Sequence, residues 1–213
     1  MKRKCFCVGL LLLALFVIWT VALCYVDVRA IGPQGSSVGF ATLNQMIHNI
    51  TGVHMSLYTI TDWLGLIPVC FVLGFGILGI CEWIKRKSIL KVDYSILTLG
   101  GYYIIVMLLF VFFEIFVVNY RPTLINGILE ASYPSSTTML VICVMPTAIM
   151  QLNARIKNYV LKKCVNVLII FFIAFMVIGR LVSGVHWVTD IIGGTLLSSG
   201  LVIMYSFINR LHD

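Results

Sequence analysis

Six apolar runs, each near the roughly 20 residues an α-helix needs to cross a hydrocarbon core, dominate this chain of 213 residues. They fall at about 7–26, 62–83, 94–118, 136–152, 163–180 and 187–208. Backbone polar groups in lipid must be paired internally, which makes helices the natural fold for such runs. The chain is 61% hydrophobic and 11% charged, with a mean hydropathy of +1.05. A water-soluble domain of this size cannot hide so much apolar surface. The expected fold class is therefore all-α, a polytopic membrane protein with six transmembrane helices.

Charge placement orients the helices. Lys2, Arg3 and Lys4 precede the first run, and Lys85, Arg86, Lys87 and Lys91 follow the second. Arg155, Lys157, Lys162 and Lys163 follow the fourth, and Arg210 follows the sixth. With both termini cytoplasmic, 12 of the 15 basic residues lie inside, as the positive-inside trend requires. Arg29, Arg121 and Arg180 remain outside. The net charge of +7 is thus a membrane signature, and without a basic tail or basic-aromatic face it gives no reason to expect a nucleic-acid partner.

The seven cysteines are odd in number and without a repeated spacing, so no disulfide framework and no zinc site is expected. The first run is too long for a signal core and lacks a small-x-small cleavage pattern, which reads as a retained helix. Between the first two runs, residues 27–61 form the longest loop. Phe40, Leu43, Met46, Ile47 and Ile50 recur there at helical spacing opposite Asn44, Gln45, His48 and Asn49. This pattern fits a helix lying in the outer interface or one packed on the bundle.

Span parity delivers three polar segments to the outer face: "NYRPTL" after run 3, "SYPSST" before run 4, and "GRLVSGVHWVTD" between runs 5 and 6. His186 and Asp190 stand at i, i+4, so a helix would place the carboxylate where it can accept the Nδ1 proton and leave Nε2 as a free lone pair. Arg121 and Arg180 can clamp an oxyanion with fork geometry. Pro134 with Ser135, Ser136 and Thr137 forms a helix start with free N–H groups, hydroxyls and a positive dipole end.

These residues resemble the type 2 phosphatidic acid phosphatase (PAP2) superfamily, whose signatures are Lys-x6-Arg-Pro, Pro-Ser-Gly-His and Ser-Arg-x5-His-x3-Asp. The matching elements here are Arg121-Pro122, Pro134-Ser135-Ser136-Thr137 and Gly179-Arg180-x5-His186-x3-Asp190. The resemblance covers roughly residues 55 to 208. It implies a phosphohistidine formed on His186 and oriented by Asp190. Arg121 and Arg180 would hold the phosphoryl oxygens, with Ser135 and the amides of 135–137 assisting. It further implies metal-independent hydrolysis of a phosphoric monoester or diphosphate without a cofactor, the arginines doing what magnesium does elsewhere.

Three positions depart from the pattern. Glu114 stands where the lysine belongs, Thr137 where the acid histidine belongs, and Gly179 where the serine belongs. Glu114 lies two turns from Arg121 on the same predicted helix and is expected to pair with Arg121 or Arg180. Glu114, Glu130, His54 and Asp62 are the candidates for the missing acid, or for auxiliary binding roles. Gly100-Gly101 and Gly193-Gly194 are expected to mark close helix contacts.

Two parts are expected within one membrane domain: residues 1–54, the first helix and outer loop, and 55–213, a phosphatase core. The expected function is dephosphorylation of a lipid phosphate, or of a polyprenyl diphosphate such as undecaprenyl diphosphate, at the outer leaflet of a bacterial plasma membrane. Two alternatives are a phosphohistidine-type lipid phosphotransferase and a degenerate protein that binds or transports lipid phosphate. The substrate tail would remain in the bilayer; oligomeric state has no sequence signature.

Overall fold

A computed structural model describes residues 2–212. The chain forms α1 (Lys2–Tyr25), α2 (Ala41–Thr51), α3 (Met55–Leu64), α4 (Leu66–Arg86), α5 (Tyr94–Ile115), α6 (Ser136–Arg155), α7 (Tyr159–Val182) and α8 (Val188–His212). Helices α3 and α4 meet at Gly65, which keeps right-handed helical angles, and together they make one 32-residue span from Met55 to Arg86. Among the described residues, six helices are long and apolar enough to cross a membrane. The fold is thus all-α, as expected. The second span begins earlier than its hydropathy suggests, because α3 carries polar residues that apolarity alone cannot register.

Helix α6 sits at the centre, packed against α4, α5, α7 and α8, while α1 lies along α8. Small residues allow that close approach: a Cβ on Gly9 would press into Met204, and one on Gly200 into Leu13. One core cluster gathers around Phe16, Leu99, Tyr102, Tyr133, Met139 and Tyr205, and a second around Val141, Val144, Met145 and Met176. The apolar side chains that remain exposed, such as Leu11, Ile18, Phe171 and Ile178, form the faces a bilayer would cover.

The connections α1–α3, α5–α6 and α7–α8 meet at one end of the bundle. Asn44 of α2 is buried and bonds Thr189 at the start of α8 in three ways, through Nδ2 to the hydroxyl at 3.0 Å and through Oδ1 to the amide and hydroxyl at 3.3 and 3.2 Å. The His54 amide donates to the Ser183 carbonyl at 2.9 Å. Helix α2 therefore packs on the bundle through a residue of its polar face. Met46 and Ile50, from the apolar stripe, stay exposed at 53% and 75%, so of the two expected environments the structure shows packing on the bundle. Arg29, one of the three basic residues expected on the outer side, forms an exposed ion pair with Asp27 at 2.8 Å.

The glycine pairs divide. A Cβ on Gly193 would overlap the Tyr133 ring, and one on Gly194 would crowd Ser135 and Thr138, so this pair marks a close contact as expected. At Gly100 and Gly101 a Cβ would meet nothing within 4 Å. The expectation of a close contact fails there, because α4 and α5 diverge around an open groove instead. Gly193→Ala should therefore lower thermal stability by roughly 1–3 kcal/mol through overpacking, while Gly100→Ala should leave it unchanged. Thermal unfolding of both variants in detergent checks this; equal melting temperatures would contradict the packing described.

Candidate active site

The site is assembled by the short segment before α8. Asp190 occupies the third position of that helix and its Oδ2 accepts the Trp187 amide at 2.9 Å, the carboxylate half of a capping box. The Trp187 indole donates to the Tyr120 carbonyl at 2.8 Å, tying the α7–α8 connection to the α5–α6 loop. His186 precedes the helix rather than riding on it. Its Nδ1 lies 3.8 Å from Asp190 Oδ2, beyond hydrogen-bond reach. The direct pairing expected from the i, i+4 spacing is replaced by a bridge. The Ser132 hydroxyl donates to Asp190 Oδ2 and faces His186 Nδ1 at 3.1 Å.

On the other side of the imidazole, Arg121 Nη1 lies 3.2 Å from Nε2. A guanidinium only donates, so Nε2 must accept and the ring proton must sit on Nδ1. That proton goes to Ser132 Oγ, whose own proton goes to Asp190. The bonds thus run in one direction, Arg121 to His186 to Ser132 to Asp190. Burial, and then the charges of Arg121 and Arg180, push the His186 pKa well below its usual 6.5. The ring is neutral at pH 7, with its lone pair turned toward Arg121.

The loop that delivers Arg121 is a hairpin. Asn126 and Gly127 both take positive φ, 51° and 79°, and Ile125 pairs with Ile128, the geometry an Asn-Gly turn favours. Tyr120 pairs with Ala131, and the Arg121 amide donates to the Glu130 carbonyl at 3.1 Å. Register then sets Glu130 Oε2 3.0 Å from Arg121 Nε, an ion pair whose angle falls short of a hydrogen bond. Arg180, only 1% exposed, donates to the Tyr58 carbonyl and Thr61 hydroxyl at 3.4 and 3.3 Å and lies 3.6 Å from Asp62. The Tyr58 ring sits 4.8 Å from the Arg180 guanidinium and 6.0 Å from that of Arg121.

In "SYPSST" each residue has its own task. Tyr133 is buried, hydrogen-bonds Thr20 of α1 at 2.7 Å and stacks on Phe16, which holds Ser132 at Asp190. A cis peptide joins Tyr133 to Pro134. Ser135 is the residue before α6, yet its hydroxyl makes no cap bond and is buried without a partner. Its amide is bonded to the Asp190 carbonyl at 3.1 Å, so of the amides 135–137 only those of Ser136 and Thr137 remain free of a backbone acceptor. An unpartnered buried donor costs about 1–3 kcal/mol, and Arg180 Nε and Ser135 Oγ are both in that state. With two guanidiniums and a helix N-terminus alongside, this donor-rich cluster fits an oxyanion.

Not every expected residue joins the cluster. Glu114 makes no ion pair among the described residues, contrary to the expectation from its spacing. Helix α5 ends at Ile115, Phe116 leaves helical angles (φ −98°, ψ 80°), and Arg121 lies past that break. Glu130 and Asp62 take the arginines instead. Glu114 lines a small recess with Ser132, Pro134 and Ser136. The His54 ring is exposed and bonds the Thr51 carbonyl at 2.9 Å, at the start of α3. Ser132 has no place in the sequence expectations. Its one signal is position, two residues before Pro134 in the segment that meets His186. Among the described residues, no three His, Cys, Asp or Glu side chains group to hold a metal ion.

The family model of the PAP2 superfamily matches residues 95–212. A crystal structure described as the first transmembrane PAP2 type phosphatidylglycerolphosphate phosphatase, from Bacillus subtilis, is similar in fold. Its TM-score is 0.65 at 19% sequence identity, covering 96% of this chain and 97% of that one. No curated protein sequence matches this chain. With the family match extending over more than half of its length, this multi-pass membrane chain belongs to the PAP2 superfamily.

Proposed function

We propose that this chain hydrolyses a lipid phosphate or diphosphate through a phosphohistidine on His186, at the outer face of a bacterial plasma membrane. The observation that carries this reading is the one-way hydrogen-bond chain that leaves Nε2 unprotonated, its lone pair accepting from Arg121 until substrate takes that guanidinium. In the first step Nε2 attacks phosphorus, the bond from phosphorus to the leaving oxygen breaks, and the developing imidazolium keeps its proton on Nδ1, bonded to Ser132. Arg121, Arg180 and the amides of Ser136 and Thr137 take the phosphoryl oxygens, where fixed donors act most strongly in a water-poor site. In the second step water attacks the phosphorus, the P–N bond breaks, and inorganic phosphate leaves with His186 neutral again. The outer placement rests on the basic residues near the opposite end of the bundle, Lys85, Arg86, Lys87, Lys157, Lys162 and Lys163.

Leaving-group protonation favours a diphosphate. Thr137 occupies the position of the family acid, and a hydroxyl does not donate a proton near pH 7 as imidazole does. Departure of an inner phosphate needs little acid help, whereas a lipid alkoxide needs much. Glu130, half-buried and ion-paired to Arg121, is the group we assign the remaining proton work, and Asp62 pairs with Arg180.

Purified protein should release free phosphate from a panel of lipid phosphates and diphosphates, and His186→Ala should abolish that release. Activity unchanged by the substitution would refute the histidine mechanism; intact substrates with measurable binding would establish a binding protein instead. Transfer of labelled phosphate to an alcohol rather than water would establish a transferase. Ser132→Ala should lower kcat about 10- to 10²-fold through misplacement of the ring, with KM little changed and with recovery in Ser132→Thr. Loss of KM and kcat together, without recovery, would make Ser132 merely structural. Thr137→His should raise turnover of a lipid monophosphate more than that of a diphosphate; equal changes would show that another acid serves the site.

A further inference from the structure

Toward the end of the bundle away from the phosphate site, α4 and α5 diverge around a cavity of about 510 Å³. It runs from Val72 and Tyr103 to Trp83 and Ile89, and no charged side chain lines it. Gly76, Gly100 and Gly101 are part of its wall, and a Cβ on any of them would meet nothing within 4 Å. From Val72 to Trp83 the helix rises about 16 Å. That is close to half the thickness of a hydrocarbon core, the depth that an acyl chain of one leaflet fills.

The turn between the two helices builds the mouth. Arg86 donates to the Lys91 carbonyl and to Asp93 Oδ1, the latter at 3.1 Å, and lies 3.9 Å from Glu82. Glu82 in turn accepts the Asp93 amide at 2.9 Å. This clasp occupies both acids of the segment with one arginine. The side chains of Lys85, Lys87 and Lys91 are left with no hydrogen-bond or ion-pair partner among the described residues. Each lysine stands within two residues of a lining residue, Trp83, Ile89 or Val92. Beside them Leu90 is 88% exposed, and Trp83 and Tyr94 are exposed as aromatic residues at a membrane boundary are. An apolar groove one leaflet deep, with unpaired cations at its rim, complements an anionic amphiphile. A soluble anion has no use for the groove, and a neutral lipid has none for the lysines.

We propose that this groove binds an anionic phospholipid of the leaflet opposite the phosphate site. One acyl chain lies between α4 and α5, and the headgroup phosphate rests on Lys85, Lys87 and Lys91. This lipid is a resident ligand and not a substrate, because its headgroup sits at the other end of the bundle from His186. The site stands or falls independently of the phosphohistidine reading.

Photolabelling of the wild-type protein tests this without any variant. Phosphatidylglycerol carrying a photoreactive group at the ester end of one acyl chain is added in trace amount to phosphatidylcholine proteoliposomes. It should label Trp83 and Ile89 about tenfold or more above phosphatidylcholine carrying the same group. Equal labelling by the two lipids would overturn the proposal. Variants then separate its two halves. Lys85→Gln, Lys87→Gln and Lys91→Gln together should bring phosphatidylglycerol labelling down to the phosphatidylcholine level. Lys157→Gln, Lys162→Gln and Lys163→Gln, an equal loss of charge elsewhere at that end, should leave it unchanged. The same loss in both triple variants would show a diffuse surface potential and refute a headgroup site. Gly100→Leu with Gly101→Leu should abolish the preferential labelling by filling the groove with the lysines intact. Labelling that survives those leucines would refute the acyl-chain seat. Each variant should melt in phosphatidylcholine as the wild type does, and one that does not leaves the decision to the wild-type comparison of the two lipids.

Discussion

The site depends on a run of four side chains whose hydrogen bonds all point one way. Arg121 can only donate, which fixes His186 Nε2 as the acceptor and Nδ1 as the proton carrier. Ser132 then accepts from the ring and donates to Asp190, whose carboxylate is also held by the Trp187 amide. Reversing any one bond would require a guanidinium to accept or a buried carboxylate to give up its donors. Much of the surrounding fold serves this arrangement. The capping box starts α8 beside the histidine, the Tyr133 anchor holds Ser132, and the Asn-Gly hairpin brings Arg121 into line.

Charge is balanced in the same economical way. Arg121 and Arg180 stand near one neutral imidazole, and each has one carboxylate partner among the described residues, Glu130 or Asp62. Tyr58 offers its ring to both guanidiniums. Arg121 Nε, Arg180 Nε and the Ser135 hydroxyl are left without hydrogen-bond partners, and the Ser136 and Thr137 amides without backbone acceptors. Two like charges so arranged repel each other, and a bound oxyanion would relieve that repulsion while satisfying the orphaned donors.

The membrane fold was legible because hydropathy and length leave so little choice: six runs gave six spans, with ends within a few residues except where α3 extends the second. The cluster was legible where a residue's own chemistry draws it to others, and the structure does bring His186, Asp190, Arg121 and Arg180 together. It was not legible where position depends on how loops fold. Glu114 was expected to share a helix face with Arg121, but α5 ends between them and the hairpin supplies Glu130 instead. Ser132 was invisible because a loop serine two residues before a proline has many ordinary uses, and only packing shows which one applies. Gly100 and Gly193 look alike in sequence; one lines open space and the other receives a tyrosine ring, a difference set by neighbours far along the chain.

The central claim is that His186 Nε2 becomes covalently attached to phosphorus. Rapid quenching of the enzyme with a lipid diphosphate labelled in its terminal phosphate tests it most directly. The account predicts protein-bound label that is stable to base, released by acid, mapped to His186, and absent in His186→Ala. Labelled phosphate released at full rate with no such adduct at any quench time, in a protein whose His186→Ala variant stays active, would contradict it.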